Sequence, residues 1–280
     1  MNILETYQSL CKLHNIEFET INSFKSYDES TLFCPSGMQQ FKKDFENETV
    51  VKTISNLQSC LRLNDLEEIG DGTHLLHFKM LGLFSFRQKS VEWTIDFFMT
   101  FLKEVSCLPD YVTIHPDKMT DWFKYYYKHN VEIRPDESCT WSDGNIGGYC
   151  TEFYKNNIEI GNIVNPLGTC IDVGFGLERL EFLINNVQIK TEDEVLIETV
   201  NSLIEEGYRP SNLKQGYVLR KLLRKIWSKG LKIEHEFFQQ EIDRQIKILE
   251  KYNRLKDRFK DMPKEWWYST HGINLDEVNI

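Results

Sequence analysis

Apolar positions along this chain switch between two periods. Ile3, Leu4, Tyr7, Leu10 and Leu13 recur at three- and four-residue steps, which predicts an amphipathic helix over residues 2–15. Residues 26–45 (SYDESTLFCPSGMQQFKKDF) mix turn formers with a short apolar run, and a helix opens near Gly37. TVVKTI and SCLRL predict strands, and THLLHFKMLGLFSF (73–86) predicts a longer, mostly buried one. SVEWTIDFFMTFLKEV (90–105) returns to helical spacing, followed by a strand at YVTIHP and a helix at DKMTDWFKYYYKH. YCTEFYK and IEIGNIV are β-rich and a few residues apart, which predicts an antiparallel hairpin. From Thr191 onward the pattern is helical throughout, over 192–206, 212–229 and a long polar 234–260. A boundary near 188–191 therefore separates a mixed sheet-and-helix body (1–190) from a small helical module (191–280).

Composition narrows the function classes. Of 280 residues, 33 are basic and 43 acidic, giving a net charge of −10, so nucleic-acid contact requires a local basic patch. The opening residues lack the basic-then-apolar layout of a signal peptide, and no apolar run reaches the roughly 18–20 residues that span a bilayer. Seven cysteines without a CxxC pair fit reduced thiols in a cytoplasmic protein. With no HxxxH or HExxH pattern either, the sequence predicts no metal site.

Two stretches carry candidate chemistry. In IDVGFGLERL, Asp172 sits among apolar neighbours, where a carboxylate is costly unless paired. Gly174 and Gly176 clear space beside it, and Arg179 returns one helical turn later. A carboxylate, a space and a guanidinium suit a zwitterionic or phosphorylated ligand. The second stretch, NLKQGYVLRKLLRKIWSKGLK (212–232), has seven basic residues and no acidic one. Arg220, Lys221, Arg224 and Lys225 form ridges beside the apolar stripe of Val218, Leu222, Leu223 and Ile226. This helix offers either a nucleic-acid-facing surface or a solvated face.

Five stretches, in order from about Phe33 to Val278, together resemble the aminoacylation core of the alanyl-tRNA synthetases, which are class II enzymes. They are LFCPSGMQQFKKDF; QSCLRLNDLEEIG with HFKMLGLFSF; YCTEFY, IEIGNIV and IDVGFGLERL; PSNLKQGYVLRKLLRKI; and YSTHGINLDEV. The resemblance implies an α+β fold, an antiparallel sheet of the class II type flanked by helices. It also implies a ligase that uses ATP and Mg2+ to make an aminoacyl adenylate of alanine or another small amino acid. By resemblance Arg62 faces the α-phosphate and the attacking carboxylate, Arg179 holds the γ-phosphate, and Phe78 or His77 stacks on adenine. Asp172 pairs with the amino acid's ammonium group, with Gly174, Asn162, Val164 and Trp141 around it. Asn212 reads a tRNA acceptor stem, with the basic helix against its phosphates.

The chain also departs from that pattern. Only Leu63 stands where the family carries a short loop between Arg62 and Asn64, and an arginine expected near Thr73 is missing. Lys79 replaces an acid beside the ATP site, and Ser269 replaces the acidic partner of Asn212. The family's editing and C-terminal domains have no counterpart in these residues. Three readings stay open: a non-editing synthetase that charges a tRNA or tRNA-like acceptor stem, a paralogue that passes the acyl group to a carrier protein, peptide or small amine, and a non-catalytic binding module.

Overall fold

The computed structural model describes residues 2–63, 75–188 and 190–278. It divides into two compact units, 1–191 and 192–280. The first is built on a nine-stranded sheet in the order β1-β2-β3-β9-β8-β7-β4-β5, with β6 paired to β7 off that path. The strands are β1 (Glu17–Ile21), β2 (Lys52–Leu61), β3 (His77–Phe86), β4 (Tyr111–Ile114), β5 (Glu132–Pro135), β6 (Thr140–Asp143), β7 (Ile146–Lys155), β8 (Ile158–Val164) and β9 (Cys170–Gly176). The central pairings are antiparallel, while the outer pairs β1/β2 and β4/β5 are parallel. TVVKTI and SCLRL belong to one continuous strand, β2, rather than two. β1 is half exposed along its length and carries too weak an alternation to be read from the sequence.

Side chains alternate across a strand, so register decides what each face carries. Leu81 and Leu83 of β3, Val173 and Phe175 of β9, Ile163 of β8 and Phe153 of β7 enter the main core. A short α2 (Lys42–Glu46) follows α1 (Ile3–Leu13), and the core is closed by α1, α3 (Val91–Glu104), α4 (Pro116–Tyr127) and α5 (Leu177–Asn185). Phe98 of α3 stacks on Phe175 with centroids 4.8 Å apart. Asn2 caps α1 and Ser90 caps α3, each accepting a backbone N–H from the first turn. Tyr7 of α1 reaches the sheet itself, its hydroxyl donating to the Gly82 carbonyl at 3.1 Å. The alternate residues are left for the opposite face: Phe78, Met80, Gly82 and Phe84 of β3, Asp172 and Gly174 of β9, Asn162 and Val164 of β8.

The second unit holds α6 (Glu192–Glu205), α7 (Lys214–Ser228), α8 (Glu236–Leu255), α9 (Lys264–His271) and α10 (Leu275–Val278). Its apolar contacts include a cluster of Trp267, Ile273 and Val278 under α8. Among the described residues, no helix is long and apolar enough to cross a membrane.

Candidate active site

On the sheet face away from the main core lies a cavity of about 210 Å³, and eight of the nine residues expected to hold ATP and amino acid line it. They are Arg62, Phe78, Trp141, Asn162, Val164, Asp172, Gly174 and Arg179. Register explains the grouping: Asn162 pairs with Gly174 and Val164 with Asp172, while Phe78 and Met80 lie two residues apart on the neighbouring β3. Gly174 lets the strands close on this floor, because a Cβ there would stand 2.9 Å from the Met80 sulfur.

His77 does not line this cavity. Its ring packs edge-on against Phe24 at 4.6 Å, on the other side of the strand from Phe78. Of the two aromatic candidates, Phe78 is therefore the one at the cavity. The Arg62 guanidinium lies 5.0 Å from the centre of the Phe78 ring, and its Nε donates to the Pro35 carbonyl at 3.0 Å. Pro35 and the cavity-lining Ser36 belong to the loop that precedes the short helical segment Gln39–Glu46, so this loop fixes the arginine's approach. Arg179, in the first turn of α5, donates from Nη1 to the Glu159 carbonyl at 2.8 Å and lies 3.5 Å from its carboxylate.

Asp172 is the electrostatic oddity. Its side chain lines the cavity and is half-buried. Among the described residues no hydrogen-bond donor or cation pairs with it. Burial pushes its carboxyl up to about 7. Glu178 behaves similarly, pushed up to about 7 by burial, although both of its oxygens accept the Lys79 N–H at 3.0 Å.

Glu178, Glu159 and Met80 were not anticipated from the sequence. Glu178 was visible beside Arg179 in GLERL, and Met80 could have been reached by alternation from Phe78. Glu159 enters through its pairing with Tyr154 across a bulged hairpin, which leaves no local signal. Lys79, expected as a reversed charge beside the nucleotide, does not line the cavity; it alternates away from Phe78 and Met80. Leu63 closes the described stretch after Arg62, while Asn64 and the position near Thr73 lie outside the described residues.

In the second unit the structure corrects the expected basic face. Arg220 and Arg224 are only 5% and 3% exposed. Both guanidiniums pair with the buried carboxylate of Glu241, at 2.9 and 3.1 Å, and Arg244 joins them at 3.1 Å. Arg220 also donates to Asn212 Oδ1. Lys225 is half-buried and bridged to Glu192 at 3.0 Å. Only Lys221 of the four, together with Asn212, presents itself to solvent. The arginines sit on the inner side of α7, where a helical wheel read without its partner α8 gives no sign of Glu241.

Residues 17–146 match the family described as tRNA synthetases class II (A). The chain is also similar to alanine–tRNA ligases. The enzyme of Chlamydia muridarum is 27% identical over 288 residues, covering 75% of this chain and 33% of the relative. That of Staphylococcus aureus (strain JH9) is 27% identical over 306 residues, covering 80% and 35%. The chain thus spans about a third of the length of the curated relatives it matches. Among solved structures, apo S. aureus histidyl-tRNA synthetase aligns at a TM-score of 0.47 and 11% identity, over 88% of this chain and 82% of that one.

Proposed function

We propose that this chain activates a small amino acid, alanine foremost, with ATP, and passes the acyl group to a tRNA acceptor stem. The observation that carries the reading is the unpaired carboxylate of Asp172 in the same cavity as two guanidinium groups. A zwitterionic amino acid supplies the missing ammonium to Asp172, and its own carboxylate then points toward the phosphate-binding arginines. Attack of that carboxylate on the α-phosphate forms the mixed anhydride and expels pyrophosphate. Negative charge grows on phosphate oxygens as it does so, and guanidiniums fixed at Pro35 and Glu159 stabilise it without reorganising. Phe78 offers the aromatic face for adenine, already flanked by Arg62. Glu159 and Glu178 are hard oxygen donors at the cavity and would hold the magnesium ion that accompanies ATP and offsets its phosphate charge. The narrow floor at Gly174 and Val164 favours a side chain no larger than a methyl or hydroxymethyl group, which separates alanine poorly from glycine and serine.

One observation favours a second acceptor class. The arginines of α7 are engaged by Glu241, so the surface left for RNA phosphates is small, and a carrier protein or small amine would need no such surface. Exchange of labelled pyrophosphate into ATP, run with alanine, glycine, serine and larger amino acids without tRNA, tests the activation step. Exchange dependent on a small amino acid is expected; none with any amino acid would refute the reading. Charging of an acceptor-stem hairpin then separates the two acceptors.

A further inference from the structure

Seven cysteines look scattered in the sequence, but the fold brings two of them together with an acid. Cys139 stands just before β6 and Cys150 on β7. Thr140 pairs with Tyr149, and one step outward the Cys150 N–H donates to the Cys139 carbonyl at 2.9 Å. Glu152, two residues farther along the same face of β7, completes the group. The two sulfurs and a carboxylate oxygen lie within 4.8 Å of one another. The cysteines are 0% and 1% exposed, so this is an interior cluster rather than a chance meeting of surface acids.

The neighbours hold these donors in place. The Cys139 thiol donates to the Thr113 hydroxyl at 3.1 Å. Tyr154 donates its hydroxyl to Glu152 at 2.7 Å, and its ring stacks on Tyr111. Outer contacts of this kind orient metal ligands and set their basicity. No lysine or arginine pairs with Glu152 among the described residues, while Glu159 and Asp136 add negative charge nearby. The cluster backs onto the cavity: Cys150 pairs with Val164 and Glu152 with Asn162, two lining residues, and Trp141 packs on Cys139, Cys150 and Val164.

We propose that Cys139, Cys150 and Glu152 bind a thiophilic divalent cation of the zinc class, which clamps the start of β6 to β7 and so holds Trp141 at the cavity wall. Two sulfurs and one oxygen suit zinc better than magnesium or calcium, which take oxygen alone. Ligand atoms around tetrahedral zinc stand about 3.5–3.8 Å apart, a contraction that side-chain rotation within the hairpin supplies. Binding releases the two thiol protons to solvent and leaves one tetrahedral position for water.

The full chain, reduced and freed of metal, is titrated with Co2+ and then with Zn2+. One equivalent of Co2+ should raise the near-ultraviolet absorption of thiolate-to-cobalt charge transfer, and Zn2+ should bleach it. Cys139→Ser and Cys150→Ser should each abolish the band, whereas Cys107→Ser should leave it unchanged. Glu152→Gln should keep the band but weaken affinity by about tenfold or more. Should a serine variant fail to fold, alkylation of the native chain followed by peptide mapping gives the same answer: Zn2+ should protect Cys139 and Cys150 selectively. Lack of a charge-transfer band in the native chain, a band surviving loss of Cys139, or a Cys139–Cys150 disulfide in place of metal would each overturn the proposal.

Discussion

Two carboxylates divide this molecule by what surrounds them. Glu241 in the helical unit meets Arg220, Arg224 and Arg244, and also accepts from Gln245. Asp172 in the sheet unit meets no cation and no donor among the described residues. Neither environment is cheap for an ionised acid. The helical unit solves the problem within the chain, so its charges are structural. The cavity leaves the problem open, and a site whose electrostatic demand the fold does not meet is where a ligand belongs. The contrast also explains why α7, the most basic stretch of the sequence, is a poorer functional candidate than a single acid in an apolar strand.

The largest expected effect falls on the satisfied acid. Glu241→Gln removes the charge that compensates two buried arginines and should cost about 3–5 kcal/mol of stability. Denaturant unfolding of the full chain, followed by the far-ultraviolet signal of the helices, measures it; a loss below about 1 kcal/mol would mean that water, not Glu241, compensates those arginines.

Next in size is catalysis at the cavity. Arg179→Ala should lower amino-acid-dependent pyrophosphate exchange by about 10²–10³-fold, the range for removing one preorganised stabiliser of a transition-state charge. Its melting temperature should change little, since the side chain is held by a carbonyl and one half-exposed acid. A variant as active as the parent would remove Arg179 from the reaction.

Asp172 should reveal itself through pH. Its folded-state value of about 7 lies above the ordinary 3.8, so between those limits the folded chain holds a proton that the unfolded chain has lost. That contribution to stability is complete below about pH 4 and disappears as pH rises to 7. Glu178, raised from 4.5 to about 7, acts in the same direction. Without ligand, Asp172→Asn should therefore be more stable than the parent at pH 8, by about 1–3 kcal/mol once water in the cavity is allowed for, with the gap closing at pH 4. Thermal unfolding at both pH values reads the difference; a gap that widens toward low pH would contradict the burial argument. Amino-acid affinity should move the opposite way and rise through pH 7, because only the ionised acid can hold an ammonium group.

The smallest effect belongs to the helical unit's exposed charge. Lys221→Ala should reduce the salt dependence of acceptor-stem RNA binding by about 0.7–0.9 in log-log slope if it contacts one phosphate. Filter binding across a salt series reports this, and an unchanged slope would return Lys221 to solvent.

Part of the cavity was legible in the sequence because it is local: Asp172, Gly174 and Arg179 fall in one decapeptide, whereas Asn162, Val164, Trp141, Phe78 and Arg62 were reached only through the family resemblance. What escaped depends on partners far along the chain. Nothing near Arg220 announces Glu241, and nothing in the spacing of Cys139, Cys150 and Glu152 announces their meeting, which follows from hairpin register. The parallel edge strands β1 and β5 escaped for a different reason: each is short and largely exposed, so burial imposes no pattern on its residues.

The central claim is that the open charge at Asp172 is kept for the substrate's ammonium group. Pyrophosphate–ATP exchange by Asp172→Asn, with alanine and ATP varied separately at pH 8, addresses it most directly. Losing one charge-assisted bond of about 1.5–3 kcal/mol should lower kcat/KM for alanine roughly ten- to a hundredfold and leave the KM for ATP unchanged. An unchanged kcat/KM for alanine, or a loss expressed in the KM for ATP instead, would contradict the account.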